Sequence, residues 1–179
     1  VYGLGCDIRS VKALEKIARI KGIKLDKANF SFICYDLSNL SDYVKQLDTQ
    51  RFKILKRAFP GPYTFILPGN NNLPKVFKKK KTVGIRIPNH KALLNLLIET
   101  KKPLASTSAN SHKGKAPKNI KELDIISNKE ITYALVSNHK IAGSESTIVS
   151  LINDKINILR SGRISISMIE AQIKNLQKR

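Results

Sequence analysis

Segments whose apolar residues recur at helical spacing alternate along this chain with short apolar runs bounded by Pro, Gly and Asn. That alternation restricts it to a sheet layered with helices. Val11, Leu14, Ile17 and Ala18 share one helical face, Ser10 before them suits an N-cap, and Gly22 after them suits the stop. The run 30–35 reads as a buried strand, and 37–47 and 49–59 read as polar-faced helices, the second stopped by Pro60. Strands are expected over 63–67 and 82–87, with the lysines 78–81 between them at an exposed hairpin tip or edge. Asn89 is expected to cap a helix to Thr100 with a broad apolar face from Leu93, Leu94, Leu96 and Leu97. A strand over 103–106, a polar loop over 107–118, a short helix opened by Asn119 and a strand over 133–136 follow. Segments 147–152 and 156–159 read as a hairpin turning at Asn153-Asp154, and 167–176 as a last helix. No internal repeat or long linker divides the 179 residues, which suffice for one α/β domain with a real core.

Lys and Arg total 33 against 13 Asp and Glu, a formal charge of +20, so the natural partners are anions: nucleic acid, nucleotides or acidic membrane surface. The excess consists of 25 Lys and 8 Arg in a chain also rich in Ile and Asn, a usage that A/T-rich codons produce. Solvated lysine faces and a dedicated nucleic-acid surface therefore stand as alternatives. No apolar run approaches the ~18–20 residues of a bilayer span, so no membrane is expected. Cys6 and Cys34 have no metal spacing, no signal peptide is visible, and the chain reads as cytoplasmic. His90, His112 and His139 are equally scattered, which leaves no zinc signature.

Four stretches offer chemistry. Gly3 and Gly5 precede a helix and would let backbone approach a ligand, or form a simple turn; no Walker A pattern accompanies them. Pro60-Gly61-Pro62 reads as a rigid turn. On the strand 82–87, alternation places Arg86 with Gly84 and Pro88, opposite Ile85 and Ile87. There the guanidinium could clamp a carboxylate or phosphate, or simply sit in water. Ser106, Ser108 and Asn110 follow an apolar strand, where α/β sheets bind ligands, and Ser146 and Arg160 repeat that theme near strand ends. No serine has a recognisable His and carboxylate beside it, so a hydrolase triad is not expected.

In this order the strings VYGLGCD, LKRAFPGPYTFIL, KTVGIRIP, PLASTSAN, ESTIV and ILRSG resemble the threonylcarbamoyl-AMP synthase family, the YrdC/Sua5 group, over essentially the whole chain. The segment FSFICYDLSNLSDY is closer to its YciO-like branch. The resemblance implies a twisted open mixed sheet with helices packed around a basic cavity. It also implies synthesis of threonylcarbamoyl-AMP and pyrophosphate from L-threonine, bicarbonate and ATP, with Mg²⁺. A downstream threonylcarbamoyl transferase complex would then modify adenosine 37 of tRNA, and direct binding of tRNA or double-stranded RNA is a further implied property.

By the same resemblance Lys21, Thr82, Ser108, Asn110 and Arg160 are expected at ATP, with Lys21 neutralising phosphate charge. Arg86, Ser106, Ser146 and Tyr2 are expected at threonine, Arg86 holding its carboxylate. Two departures stand out. Ile23 occupies the arginine place of the family's Lys-x-Arg motif, with Lys24 as a candidate substitute that restores charge but not a bidentate fork. The family's first strand and Pro-Thr-Asp-Thr segment are expected before Val1, and weak or no synthase activity is expected if the protein begins there. The larger C-terminal domain of Sua5-type members is not expected within 1–179. The alternative is a YciO-like RNA-binding protein of the same fold without the chemistry. A carbamoyl-transfer domain related to hydrogenase maturation proteins is disfavoured, because the zinc-finger and acylphosphatase segments are absent from this sequence.

Overall fold

The computed structural model describes residues 1–110, 114–123, 130–136, 141, 143–153 and 155–164. The strands are β1 (Gly3–Asp7), β2 (Ser31–Ile33), β3 (Tyr63–Pro68), β4 (Thr82–Arg86), β5 (Leu104–Ser108), β6 (Thr147–Ser150) and β7 (Asn157–Arg160). The helices are α1 (Val11–Ile20), α2 (Leu40–Tyr43), α3 (Thr49–Ala58), α4 (Lys75–Lys78) and α5 (Lys91–Thr100). One mixed sheet joins all seven strands in the order β1-β5-β2-β4-β3-β6-β7. Only β2–β4 and β3–β6 are parallel.

The pairing registers align residues in rows across the whole sheet. Cys6, Ala105, Phe32, Ile85, Phe65, Val149 and Ile158 stand opposite one another, and all belong to the core or pack against it. Leu14 of α1, Leu40 and Tyr43 of α2, Ile54 and Leu55 of α3 and Phe77 of α4 complete that core. Phe32 meets Tyr43 and Phe77 edge-to-face, with centroids 5.4 and 4.9 Å away. Each such pair contributes about 0.5–1.5 kcal/mol beyond burial.

The neighbouring row is Gly5, Ser106, Ser31, Gly84, Ile66, Ser150 and Asn157. Because side chains alternate along each strand, this row lies on the opposite face, and it is mostly small and polar. Helices pack on the first face, and on the second Gly84, Ser106 and Ser150 are buried as well.

Ser10 caps α1 by accepting from the Ala13 amide at 3.3 Å, as its position in the sequence predicts. Asn119 likewise opens the short turn Ile120–Glu122, accepting from the Glu122 amide at 3.1 Å. The rigid turn at Pro60-Gly61-Pro62 carries a cis Phe59–Pro60 bond and is pinned by the Gly61 amide on the Ile87 carbonyl at 2.9 Å.

Several expectations need correction. The helix over 37–47 is a 3-10 turn, Leu37–Asn39, followed by the single turn α2. Val44 is extended and bridges Gly69 while the Lys45 amide bonds the Pro68 carbonyl, so pairing beside β3 overrides the helical pattern. His90, not Asn89, caps α5 by accepting from the Leu93 amide at 3.2 Å. The apolar face of α5 is narrow: Leu97 is buried but Leu96 is 45% exposed. Gly3 and Gly5 lie within β1, paired to β5, and not in a free turn. Residues 131–136 form no strand, and Tyr133 is 91% exposed with no partner strand among the described residues. The lysines 78–81 do lie in the β3–β4 connection, but Lys80 folds back to donate to the Ala28 carbonyl at 2.7 Å and to Asn29 Oδ1 at 2.9 Å. The helix expected over 167–176 falls outside the described residues.

Candidate active site

Lys21 ends α1, where a Schellman closure fixes its direction: the Gly22 amide bonds the Arg19 carbonyl at 2.9 Å and the Ile23 amide bonds the Ala18 carbonyl at 3.0 Å. Gly22 supplies the left-handed residue, φ +67°, that this ending requires. The Lys21 side chain is buried and donates to the Ser108 carbonyl at 2.8 Å, the Asn110 carbonyl at 2.7 Å and Asn110 Oδ1 at 3.1 Å. An ammonium has three N–H donors, and here all three have protein acceptors. Burial pulls the Lys21 pKa below its ordinary value, with Glu145 opposing. Ser108 Oγ also bonds Asn110 Oδ1, and Asn110 Nδ2 donates to the Gly114 carbonyl. The turn after β5 is thereby fixed. Tyr2 borders it, its amide on the Pro117 carbonyl at 3.1 Å and its carbonyl receiving the Ala109 amide at 3.0 Å.

Arg86 ends β4 on the face of Gly84, as alternation predicts. A Cβ on Gly84 would meet Ile66 Cδ1 at 3.3 Å and Ser31 Cβ and Thr64 Cγ2 at 3.4 Å, so glycine keeps the floor beside Arg86 low. Arg86 makes no hydrogen bond or ion pair with the described residues. Burial pulls its pKa below the ordinary range, the nearby Arg160 adds to that effect, and Glu145 opposes it.

Arg160 reaches the same face through an irregularity. Ile158 pairs with Val149 and Arg160 with Ile148, so Leu159 is an extra residue in the ladder. Simple alternation would put Arg160 on the core face with Ile158; the bulge sends it to the other. There its Nη1 lies 2.8 Å from Glu145 Oε2, its Nη2 donates to the Ser146 carbonyl at 3.0 Å, and its Nε is buried without a hydrogen-bond partner among the described residues. Ser146 is itself buried and shares a hydrogen bond with Thr64 at 2.7 Å.

The structure thus brings Lys21, Ser108 and Asn110 together, and Arg86, Ser146 and Arg160 together, with buried Ser106 on the row between β1 and β2. Thr82 shares the Arg86 face but is four residues away, about 13 Å at the usual strand rise. Lys24 is exposed ahead of the turn Leu25–Lys27 and joins neither cluster. Thr64 and Glu145 belong to the site although sequence reasoning assigned them no role. Glu145 could have been noticed as the carboxylate inside ESTIV, whereas Thr64 is revealed only by its cross-strand partner.

Three cations against one carboxylate make an anion-binding face. No group of three His, Cys, Asp or Glu among the described residues could hold a metal, and Glu145 alone supplies one carboxylate to this cluster. The donor set does not fit a protein-held divalent ion.

Comparisons with known proteins bear on the family and the fold. A family model covering Sua5, YciO and YrdC proteins, described as "Telomere recombination", matches residues 1–162. Over 109 residues the chain is 40% identical to Escherichia coli "Uncharacterized protein YciO", covering 60% of this chain and 52% of that protein. It is 32% identical over 175 residues to a threonylcarbamoyl-AMP synthase of Bacillus subtilis, covering 97% of this chain and 50% of that protein. The chain therefore spans about half the length of these curated relatives. The crystal structure of P. abyssi Sua5 complexed with L-threonine superposes with a TM-score of 0.85 at 26% identity, over 96% of this chain and 50% of that one.

Proposed function

The chain belongs to the Sua5/YciO/YrdC family, and from that premise we propose that it joins L-threonine, bicarbonate and ATP into threonylcarbamoyl-AMP, releasing pyrophosphate. The observation that carries this reading is Arg86: a desolvated guanidinium with no hydrogen bond or ion pair among the described residues, near a second guanidinium and above a glycine floor. Such a group calls for an anionic ligand. The 32% identity to a threonylcarbamoyl-AMP synthase and the likeness to a threonine-bound Sua5 structure support threonine as that ligand.

In this reading Arg86 receives the threonine carboxylate, Ser106 and Ser146 line the amino-acid pocket, and Tyr2 borders it. Arg160, Ser108, Asn110 and, further off, Thr82 face the nucleotide. Lys21 acts differently from a phosphate contact: with its donors taken, it fixes the turn bearing Ser108 and Asn110 and contributes charge from behind it. The neutral threonine amine attacks the carbon of bicarbonate, whose hydroxyl leaves as water with an amine proton, or adds to CO₂ with loss of a proton to solvent; either way a carbamate forms. A carbamate oxygen then attacks the α-phosphorus, and the bond to the pyrophosphate oxygen breaks. No protein nucleophile is needed, so the chain's part is positioning and stabilisation of charge. Any magnesium enters as the counter-ion of the nucleotide. Residues 1–179 act as a YrdC-like domain, in the cytoplasm, supplying product to a transferase complex that modifies tRNA. Among the described residues no helix is long and apolar enough to cross a membrane.

The test is pyrophosphate release by the full-length protein. Release should require ATP, threonine and bicarbonate together and should vanish in Arg86→Ala. Absence of threonine-dependent release would overturn the reading. Salt-dependent RNA binding that survives Arg86→Ala would then favour the non-catalytic alternative, to which the 40% match with YciO and the lysines 78–81 lend weight.

A further inference from the structure

Glu145 has no role in the chemistry above, yet it stands where every cation of the site can feel it. Its Oε2 lies 2.8 Å from Arg160 Nη1, and its charge opposes the effect of burial on both Lys21 and Arg86. Its side chain is 35% exposed, so solvent and small solutes reach it. Its backbone is held firmly: the Arg163 amide bonds the Glu145 carbonyl at 3.0 Å, and the next residue, Ser146, is tied to Arg160 and Thr64.

The electrostatic consequence concerns the kind of anion that Arg86 can accept. A simple carboxylate on Arg86 would also meet the negative charge of Glu145, which offsets part of the attraction of the cations around it. An α-amino acid carries an ammonium one carbon from its carboxylate and meets that second negative charge with a positive one. Resting on the reading that this site takes an amino acid, we infer that Glu145 and Arg86 form a pair that reads the zwitterion. Arg86 receives the carboxylate, Glu145 accepts an N–H of the ammonium, and an α-hydroxy acid of the same shape is disfavoured by the charge of Glu145. Glu145 is thus a specificity-determining residue, and Arg160 holds its carboxylate in place from the far side.

Calorimetric titration of the full-length protein with L-threonine and with its α-hydroxy counterpart, 2,3-dihydroxybutanoate, tests this. Glu145→Gln keeps an oxygen for Arg160 and removes only the charge. The wild type should prefer threonine by about tenfold or more. In Glu145→Gln threonine should weaken while the hydroxy acid tightens, so that the ratio approaches one; Glu145→Asp should retain the preference. Circular dichroism checks the fold of each variant, and if Glu145→Gln does not fold, Glu145→Ala against Glu145→Asp gives the same comparison of ratios. Equal weakening of both ligands, or an unchanged ratio, overturns the inference while leaving threonine binding intact. A wild type that binds the hydroxy acid as tightly as threonine also overturns it. A wild type that binds neither overturns the proposed function and this inference together.

Discussion

The ammonium of Lys21 donates at 2.7 Å to the carbonyl oxygen of Asn110, a residue 89 positions further along the chain. With the Ser108 carbonyl and Asn110 Oδ1 as its other acceptors, it joins the end of α1 to the turn after β5. Lys21→Met should strand those acceptors at a cost of about 1–3 kcal/mol, read as a lower urea midpoint with an unchanged slope. The ATP KM should rise by about tenfold, as expected of a displaced turn.

Arg86 should show the opposite relation between stability and activity. It has no hydrogen bond to lose among the described residues, and burial and Arg160 both disfavour its charge. Arg86→Met should therefore raise the urea midpoint, by the equivalent of about 1 kcal/mol. Threonine-dependent pyrophosphate release should fall by about 100-fold or more. A variant that loses stability in proportion to activity would contradict this.

Gly162 lies against the backbone that carries Glu145 and Ser146. A Cβ there would sit 2.5 Å from the Ser146 carbonyl carbon and 2.6 Å from the Thr147 nitrogen, neither of which can swing aside. Gly162→Ala should cost about 1–3 kcal/mol by denaturant unfolding. Activity should fall with it, because the shift displaces the groups that hold Arg160.

The Cys34 thiol is wholly buried, and burial raises its pKa from 9.0 to about 12; Cys6 is raised to about 11 for the same principal reason. At pH 8 both should resist iodoacetamide in the native protein and react after unfolding. A proton held more tightly in the folded state stabilises fully below the unfolded pKa, and that contribution is lost as pH rises from 9 through 12. The Cys34 share of the loss is about 1.4 kcal/mol per pH unit within that window. The alkaline slope of the urea midpoint should accordingly be shallower in Cys34→Ala.

What the sequence made legible was set locally. Capping of α1 by Ser10, the strand carrying Arg86 and the 147–160 hairpin all follow from spacing over a few residues. So does the separation of Arg86 from Ile85 and Ile87, because strand alternation needs no knowledge of neighbours. The misreadings share a cause. Val44 leaves the helical pattern because of Gly69, and the Tyr133 segment has strand-like residues but no strand beside it among the described residues. Thr64 and Ser146 lie 82 positions apart and Lys21 and Ser108 87, so those parts of the site exist only once the sheet is assembled. Arg160 was recognised by type, but the face it occupies depends on a ladder irregularity that alternation does not foresee.

That irregularity gives the β6–β7 hairpin one residue of slack. Three residues of β7, Ile158 to Arg160, span the two rungs set by Val149 and Ile148. Deleting Leu159 would restore a regular ladder with Ile158 still opposite Val149 and Arg160 still opposite Ile148, and deleting Ile158 would hand its core place to Leu159. Either way the guanidinium keeps its place beside Ser146. The chain can thus change length at this edge of the sheet without exchanging the side chain that stands against Ser146.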